Sequence, residues 1–305
     1  MAYQLSEINA RALRDPRTFM EEGDRAFAGK VERAAELIIG NMKKSPVVLL
    51  SGPSGSGKTT TAGMIEAELG RRGVRCHTIS MDDYYKTLNP KTAPKTPEGN
   101  VDFESPAMLD LPLLDEHFTA LTRGKEILVP HFEFARQMRN DSRARPLRLG
   151  ADEVAIFEGI HALNTDLTAR HPEAVRLYIS ARSDVENGGR VVFKRTWIRL
   201  TRRAVRDFNF RGTDVDQTLD MWADVRRGEK LYISPYKQTA HMLFDSSLPY
   251  EVAVMASYAR PMLEAVPAEN RRRGELLELV RALALFKPID PALVPAGSLL
   301  HEFIG

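Results

Sequence analysis

Eight consecutive residues have the types and spacing that bind nucleotide phosphates. The run Gly52-Pro-Ser-Gly-Ser-Gly-Lys-Thr59 fits the pattern G-x-x-x-x-G-K-[ST] at every fixed position. The glycines let backbone N–H groups turn towards a phosphate, and the following helix start adds a favourable dipole. In this motif the lysine reaches the outer phosphates and the threonine hydroxyl binds Mg²⁺. The sequence therefore predicts a nucleoside triphosphate site whose binding residues are Gly52, Ser54, Gly55, Ser56, Gly57, Lys58, Thr59 and Thr60.

Two acidic residues come at the ends of apolar runs and have the chemistry to complete this site. Because ligands bind at the carboxyl ends of the strands in an open parallel sheet, Asp82 and Glu158 should face the crevice that contains Lys58. Asp82 could accept the proton of an attacking hydroxyl group. Glu158 could hold Mg²⁺ together with the threonine hydroxyl. Asp82 is favoured over Asp83 because it directly follows the strand, and the alternative is that these aspartates cap a helix.

A basic run later in the chain could neutralise the charge of a phosphoryl group in transfer. Arg203 and Arg206 are three residues apart, so they share one face of a predicted helix, and Arg211 follows closely. Guanidinium groups on one face suit a mobile lid, predicted at about 183–213, that closes over a triphosphate. The alternative is a solvated basic helix face.

Strands that alternate with helices must position these groups. Five short apolar runs predict strands, and helical stretches separate most of them. This alternation is typical of an α/β fold with a mainly parallel, doubly wound sheet flanked by helices. The strands are predicted at 46–51, 74–80, 154–157, 175–180 and 241–245.

Composition excludes several other classes of protein. The 43 basic and 41 acidic residues give a net charge of +2, which argues against nucleic-acid and membrane-surface partners. The one cysteine, Cys76, permits no intramolecular disulfide and fits a reducing compartment. The first residues do not resemble a signal peptide, and no apolar run approaches the roughly 20 residues that a membrane span needs. We therefore expect a cytoplasmic protein.

Six motifs in order resemble the uridine kinase branch of the uridine kinase/phosphoribulokinase superfamily. They lie at 51–59, 81–85, 100–102, 130–134, 157–160 and 202–207. The resemblance implies a P-loop NTPase fold and an enzyme that uses ATP and Mg²⁺ to phosphorylate a hydroxyl group, typically the 5′-OH of uridine or cytidine. It implies a kinase domain over 46–250, with a helical lead-in over 1–45. A C-terminal helical extension over 251–305 is similar to that of a longer uridine-kinase-like subgroup.

The resemblance also implies roles for individual residues. Lys58, Arg203 and Arg206 would act in catalysis with Asp82 as the general base, and Arg211 would bind the nucleotide. Thr59 and Glu158 would serve Mg²⁺, and Asp102 resembles the aspartate that holds the acceptor ribose hydroxyls. The implied substrate-binding residues are Asp82, Tyr84, Asp102, Phe132, Gln137, Arg139 and Arg203.

Two positions depart from the family pattern and leave the acceptor open. Family uridine kinases have a tyrosine and, five residues on, a histidine that contact the pyrimidine, whereas this chain has Phe132 and Gln137. A polar pocket can discriminate by about 10⁴-fold when it is built for one substrate, so these changes affect the choice of acceptor. Uridine or cytidine is favoured. The alternatives are another nucleoside, a sugar, a sugar phosphate or a vitamin precursor.

Two further possibilities concern the molecule as a whole. The C-terminal extension suggests, as a third alternative, a regulatory module that binds a nucleotide and a protein partner. Members of the family are often oligomers, so a homo-oligomer is also open. The expected partner is otherwise a small-molecule hydroxyl acceptor.

Overall fold

A computed structural model describes residues 2–270 and 272–305. The strands in chain order are β1 (Tyr3–Gln4), β2 (Val47–Ser51), β3 (Arg75–Ser80), β4 (Ile127–Val129), β5 (Phe132–Glu133), β6 (Met138–Arg139), β7 (Arg145–Leu147), β8 (Glu153–Glu158), β9 (Val175–Ser180), β10 (Val185–Asn187), β11 (Arg190–Phe193) and β12 (Met242–Asp245). The helices are α1 (Leu5–Arg14), α2 (Pro16–Asn41), α3 (Lys58–Arg71), α4 (Leu111–Thr122), α5 (Thr165–Thr168), α6 (Arg195–Arg211), α7 (Val215–Gly228), α8 (Glu251–Glu264), α9 (Arg273–Leu283) and α10 (His301–Ile304).

The centre of the fold is a five-stranded sheet in the order β12-β9-β2-β8-β3, with every neighbouring pair parallel. The strand β2 is buried along its whole length and apolar on both faces, as expected for a central strand covered by helices on both sides. Leu50 of β2 lies opposite Glu158 of β8 and Leu177 of β9. The five predicted strands are confirmed, and the fold is α/β with a parallel sheet.

Helices cover both faces of the sheet. One face packs on a large core that includes α2, α3, α6, α8 and α9, and the other packs on a smaller core built around Leu114 and Phe118 of α4. None of the described helices is long and apolar enough to cross a bilayer.

The N-terminal helices belong to the same core as the sheet. The Asp15 side chain accepts a hydrogen bond from the Thr18 N–H (3.1 Å), and Pro16 occupies the first turn, so α2 has a well-defined start. Phe19 and Phe27 of α2 are buried in the large core. The helical lead-in therefore packs into the same core as the sheet.

The region predicted as a lid forms a hairpin and a helix. The strands β10 and β11 pair antiparallel through a turn at Gly188-Gly189, and both glycines have positive φ. The strand β1 pairs with β10, and this was not predicted because two residues carry no periodic signal. The apolar side of α6, including Leu200 and Val205, is buried in the large core. The closure of this region over a bound nucleotide stays a prediction.

Candidate active site

The phosphate-binding loop has the backbone that its glycines require. Gly55 and Gly57 have φ of 73° and 84°, in the left-handed region that favours glycine. A Cβ atom at Gly52 would lie 2.1 Å from the carbonyl oxygen of Ile179 in β9. Helix α3 begins at Lys58, directly after the loop, so its first N–H groups face the same space as the loop.

A cavity of about 140 Å³ lies over this loop and collects the main expected catalytic groups. Both strand-end carboxylates, from Asp82 after β3 and Glu158 at the end of β8, line it together with Lys58. The remaining lining residues are Ser54, Gly55, Ser56, Gly57, Thr59, Gly159, Ile160, Arg206, Arg211 and Glu302.

The charges in this cavity are strongly coupled. Burial raises the pKa of Asp82, and the Lys58 ammonium and the Arg211 guanidinium partly oppose that rise. Burial also raises the pKa of Glu158, which Lys58 lowers and Asp82 raises. Because each carboxylate disfavours ionisation of the other, a cation between them would stabilise both charges.

The donor set near Glu158 fits a magnesium ion. The Thr59 hydroxyl donates to a Glu158 carboxylate oxygen at 3.2 Å, so two hard oxygen atoms meet beside the loop. Across the described chain there is no group of three or more His, Cys, Asp or Glu that could hold a metal alone. Mg²⁺ in such enzymes is typically bound by one or two carboxylates and completed by substrate phosphates and water, so the two observations agree.

Asp82 and Asp83 have different surroundings. Asp82 lines the cavity, whereas an Asp83 carboxylate oxygen accepts from the Phe132 N–H at 3.2 Å and lies 3.4 Å from Nδ1 of His131. Asp83 thus fastens β5 to the turn after β3. This placement agrees with the preference for Asp82 as the base.

Three of the arginines lie beside the loop and share one carboxylate. Arg206 and Arg211 line the cavity, and Nη1 of Arg203 donates to the Ser54 hydroxyl at 3.0 Å. Asp207 pairs with all three, at 3.2 Å (Arg203), 2.7 Å (Arg206) and 3.6 Å (Arg211). The site face of α6 therefore keeps positive charge next to the phosphate loop.

The adjacent Arg202 is not among the residues that line the cavity. Its guanidinium is fully buried, pairs with Glu251 of α8 and donates to the Ser246 carbonyl oxygen at 2.7 Å. Its Nη1 also donates to the Gly55 carbonyl oxygen at 3.4 Å, so Arg202 joins α6 both to α8 and to the backbone of the phosphate loop.

The expected acceptor residue Asp102 is held by two residues that the sequence did not suggest. Asp102 is buried, lies 2.8 Å from Nη2 of Arg227 in α7, and accepts from the Tyr232 hydroxyl at 3.3 Å. Both partners are about 125 residues further along the chain and belong to no recognisable motif. Only the tertiary fold brings them to Asp102.

Two further polar groups beside Asp102 were not assigned to the site from the sequence. Burial raises the pKa of Glu104 to about 7, although Arg203 and Lys58 act to lower it and the charge of Asp102 adds to the rise. Burial lowers the pKa of His161 to about 4. Neither ring nitrogen of His161 has a hydrogen-bond partner among the described residues. Glu104 stands in a loop with no strand or helix pattern, so the sequence carries no signal that places it in the site.

The structure corrects one expected substrate residue. Tyr84 is fully buried in the smaller core, with its hydroxyl 2.9 Å from Nδ1 of His117, so it does not face the cavity. Burial raises the pKa of the neighbouring Tyr85, and the nearby charges of Asp82 and Glu104 add to that rise. The two tyrosines follow β3 in and just after a 3₁₀ turn, where successive side chains point about 120° apart.

The three expected residues around 132–139 differ in their availability. Phe132 is buried and packs on Tyr85 and Phe134, with ring centroids 5.6 Å and 5.2 Å apart. The Gln137 amide donates to the Phe134 carbonyl oxygen at 2.9 Å. Nη1 of Arg139 donates to Asp110 at 2.9 Å. The polar groups of Gln137 and Arg139 therefore form hydrogen bonds with Phe134 and Asp110. Neither side chain is hydrogen-bonded to the carboxylates around Asp102.

The C-terminal segment reaches the phosphate loop, which the sequence did not predict. A carboxylate oxygen of Glu302 accepts from the Thr60 hydroxyl at 2.6 Å and from the Thr60 N–H at 3.3 Å. Leu299 packs so closely on Gly57 that a Cβ there would lie 2.7 Å from it. Thr60, an expected nucleotide contact, thus has its donors engaged within the chain.

Comparisons with known proteins agree with these observations. Residues 47–253 match the model of the phosphoribulokinase/uridine kinase family. Uridine kinases of Staphylococcus aureus strains JH9 and Newman are each 28% identical over 214 residues, which cover 70% of this chain and 93% of theirs. A solved D-glycerate 3-kinase from Cryptococcus neoformans is 17% identical, with a TM-score of 0.48 over 66% of this chain and 88% of that one. The chain belongs to the phosphoribulokinase/uridine kinase family and is a kinase, a phosphotransferase that acts on a hydroxyl group.

Proposed function

We propose that this kinase uses ATP and Mg²⁺ to phosphorylate a neutral polyhydroxyl acceptor, with the 5′-OH of uridine or cytidine as the favoured target. The observation that carries the proposal is the convergence of Lys58, Asp82, Glu158 and Arg206 on one cavity over the phosphate loop. These groups supply phosphate binding, a proton acceptor, a metal ligand and a positive charge. In-line phosphoryl transfer needs this combination.

Each residue has a defined part in the proposed reaction. Loop N–H groups and Lys58 hold the outer phosphates, and Arg206 and Arg211 stabilise the charge of the phosphoryl group in transfer. Asp82 accepts the proton of the attacking hydroxyl, and its raised pKa makes it a stronger base than an exposed aspartate. When bound by Thr59 and Glu158, Mg²⁺ would supply further neutralisation of phosphate charge.

The charges on the acceptor side favour an uncharged acceptor. The charges of Asp102 and Asp82 add to the rise that burial causes in the pKa of Glu104, so three carboxyl groups lie close together there. An acceptor that already carries a phosphate group would be repelled by these carboxylates, so a sugar phosphate is disfavoured. Hydroxyl groups, by contrast, donate well to carboxylates, and Asp102 is held in place by Arg227 and Tyr232.

The choice between a nucleoside and a simple sugar depends on the aromatic side of the site. Tyr85 and Phe132 form an aromatic pair near Asp82. Aromatic rings pack well on a planar base, so this pair favours a nucleoside acceptor. One N–H of the Gln137 amide donates to the Phe134 carbonyl oxygen, which leaves fewer of its polar groups for a base edge. This second observation favours an unphosphorylated sugar as the other candidate acceptor.

A phosphoryl-transfer assay with ATP and Mg²⁺ tests the proposal. The acceptors would be uridine, cytidine, other nucleosides, free sugars and sugar phosphates, and the enzymes would be the native chain, Asp82→Asn and the matched control Asp83→Asn. We expect turnover on a pyrimidine nucleoside, a loss of at least about 100-fold in kcat for Asp82→Asn, and a much smaller loss for the control.

Three other results would change the proposal. Full activity of Asp82→Asn would remove Asp82 as the base. Turnover on a free sugar with none on nucleosides would select the second acceptor. ATP binding without turnover on any acceptor would replace the kinase proposal with a nucleotide-binding regulatory module.

A further inference from the structure

A second polar cavity lies apart from the phosphate loop. It has a volume of about 250 Å³ and sits beyond the carboxyl end of β9, between α6 and residues 229–237. It shares no lining residue with the cavity over the loop. Pockets for drug-sized ligands span roughly 300–1,000 Å³, so this volume suits a smaller molecule.

Positive charge dominates the lining of this second cavity. Five of its side chains are basic and only one, Glu229, is acidic. The basic residues are Arg182, Arg195, Arg199, Arg226 and Lys237.

The internal ion pairs leave much of this charge uncompensated. Glu229 is shared by two guanidinium groups, Arg199 at 2.5 Å and Arg226. Arg195 pairs with Asp184 at 3.0 Å. Within the described part of the chain, the side chains of Arg182 and Lys237 have no ion-pair partner. The cavity therefore carries an excess of at least two positive charges.

Part of this positive charge lies on a buried side chain in the cavity lining. Arg199 is 3% exposed and Tyr178 beside it is also 3% exposed. Burial lowers the pKa of Arg199, which reflects the cost of keeping its charge in the interior. Because Arg199 shares the Glu229 carboxylate with Arg226, its buried charge is only partly neutralised. A further anion would stabilise this charge.

The cavity is also close to groups that hold the acceptor site. Arg226 and Glu229 line the cavity, and Arg227 between them pairs with Asp102 on the other side of the same segment. Helix α6 likewise gives Arg199 to this cavity and Arg203 to the phosphate loop. An anion here would contact the elements that position both reactants.

We propose that the cavity between α6 and residues 229–237 is a binding site for a small phosphorylated molecule, separate from the phosphate loop. A phosphate monoester or inorganic phosphate has the double negative charge and the acceptor oxygens that the guanidinium groups and the ammonium of Lys237 require. The uncompensated arginine and lysine at the rim supply the first contacts.

Isothermal titration calorimetry with inorganic phosphate and with ribose 5-phosphate tests this site. The double variant Arg182→Gln/Lys237→Gln removes two side chains that make no internal ion pair. The control Lys43→Gln/Lys44→Gln removes the same charge from exposed positions at the end of α2. All three chains would carry Lys58→Ala, so that binding at the phosphate loop is weakened equally.

We expect both probes to bind the Lys58→Ala chain and its control, and to bind the double variant at least about tenfold more weakly. Tighter binding of the sugar phosphate would identify an organic ester as the ligand class, and equal binding would identify the phosphoryl group alone. Equal affinity of the double variant and the control would overturn the site, as would a complete loss of binding in Lys58→Ala itself.

The number of phosphate ions bound per chain, measured in chains that keep Lys58, tests the proposal independently. Two phosphate sites are expected in the native chain and one in Arg182→Gln/Lys237→Gln, and a single site in both would overturn the proposal. ATP binding is measured separately in the same chains. If ATP binds and only one phosphate site is found, the proposed kinase function stands and this inference fails.

Discussion

At the scale of single residues, Glu104 is a group whose charge at neutral pH depends on its surroundings. Burial raises its pKa to about 7, so the carboxyl group is partly protonated at neutral pH. A Cβ at Gly228 would lie 2.2 Å from the Glu104 Cβ, which shows how tightly α7 covers this side chain. Glu104 can therefore donate or accept a hydrogen bond beside the acceptor, depending on pH.

Replacing Glu104 by glutamine should change how stability depends on pH. A carboxyl group with a raised pKa contributes stability below its unfolded-state pKa and loses it as the pH rises through about 7. We expect the free energy of unfolding of the native chain, relative to Glu104→Gln, to fall by about 2–3 kcal/mol between pH 4 and pH 8. Urea unfolding of both chains at these pH values measures it. A difference that does not vary with pH would show that Glu104 has the same pKa in the folded and unfolded chains.

Residues that belong to local motifs could be placed in one cavity from the sequence. Lys58, Thr59 and their glycines lie within eight residues, and Asp82 and Glu158 stand at or just after the ends of apolar strands. The burial of Tyr84 could not be predicted in this way, because the direction of a side chain in a 3₁₀ turn depends on where that turn begins.

At the scale of elements, helix α6 carries both the arginines beside the phosphate loop and a buried ion pair. One side presents Arg203, Arg206 and Arg211 to the phosphate loop, and the other buries Arg202 against Glu251. Because these groups belong to one helix, their positions are fixed relative to one another. A helix seated so firmly holds its site arginines in place before a nucleotide binds.

Methionine substitutions at two neighbouring positions should separate these roles. Arg202→Met leaves Glu251 buried without a partner, and we expect it to lower the free energy of unfolding by about 3–5 kcal/mol. Arg206→Met should leave stability within about 1 kcal/mol but reduce kcat by at least about 100-fold. Thermal unfolding and turnover of both variants check this. The double variant Arg202→Met/Glu251→Leu should recover most of the stability, and a failure to do so would mean that the pair is not the cause.

At the scale of the whole molecule, the C-terminal segment connects α2 to the start of α3, beside the phosphate loop. Asp24 of α2 accepts from the Ser298 hydroxyl at 3.1 Å, and Glu302, a few residues further on, accepts from Thr60 at the start of α3. The Arg202 guanidinium lies 5.0 Å above the ring of Phe303. The C-terminal segment is thus part of the wall of the site, and its carboxylate uses donors that a phosphate oxygen also requires.

Removing that carboxylate should strengthen nucleotide binding. Glu302→Gln eliminates a negative charge beside the triphosphate and weakens its contact with Thr60, so we expect the Kd for ATP to fall by about three- to tenfold. Fluorescence titration with a labelled nucleotide measures it, with Glu278→Gln on the exposed side of α9 as the control. Weaker binding in Glu302→Gln alone would instead make Glu302 a nucleotide contact.

The sheet and its helices were predictable from the sequence because hydrophobic periodicity is local. The contacts of Arg227 and Tyr232 with Asp102, and of Glu302 with Thr60, were not, because they join segments more than 120 residues apart. No spacing rule connects such segments. Their side chains meet only after the strands have been ordered in space.

The strand order has a consequence during protein synthesis. Among the described residues, the central strand β2 pairs with β8 and β9 alone, and the first of these begins about 100 residues after β2 ends. At roughly 5–20 residues per second, the apolar segment Val47–Ser51 has no sheet partner for about 5–20 s after it is made. A newly made chain therefore carries an exposed, aggregation-prone strand for that time, and its yield in cells should depend on chaperones that bind such segments during translation.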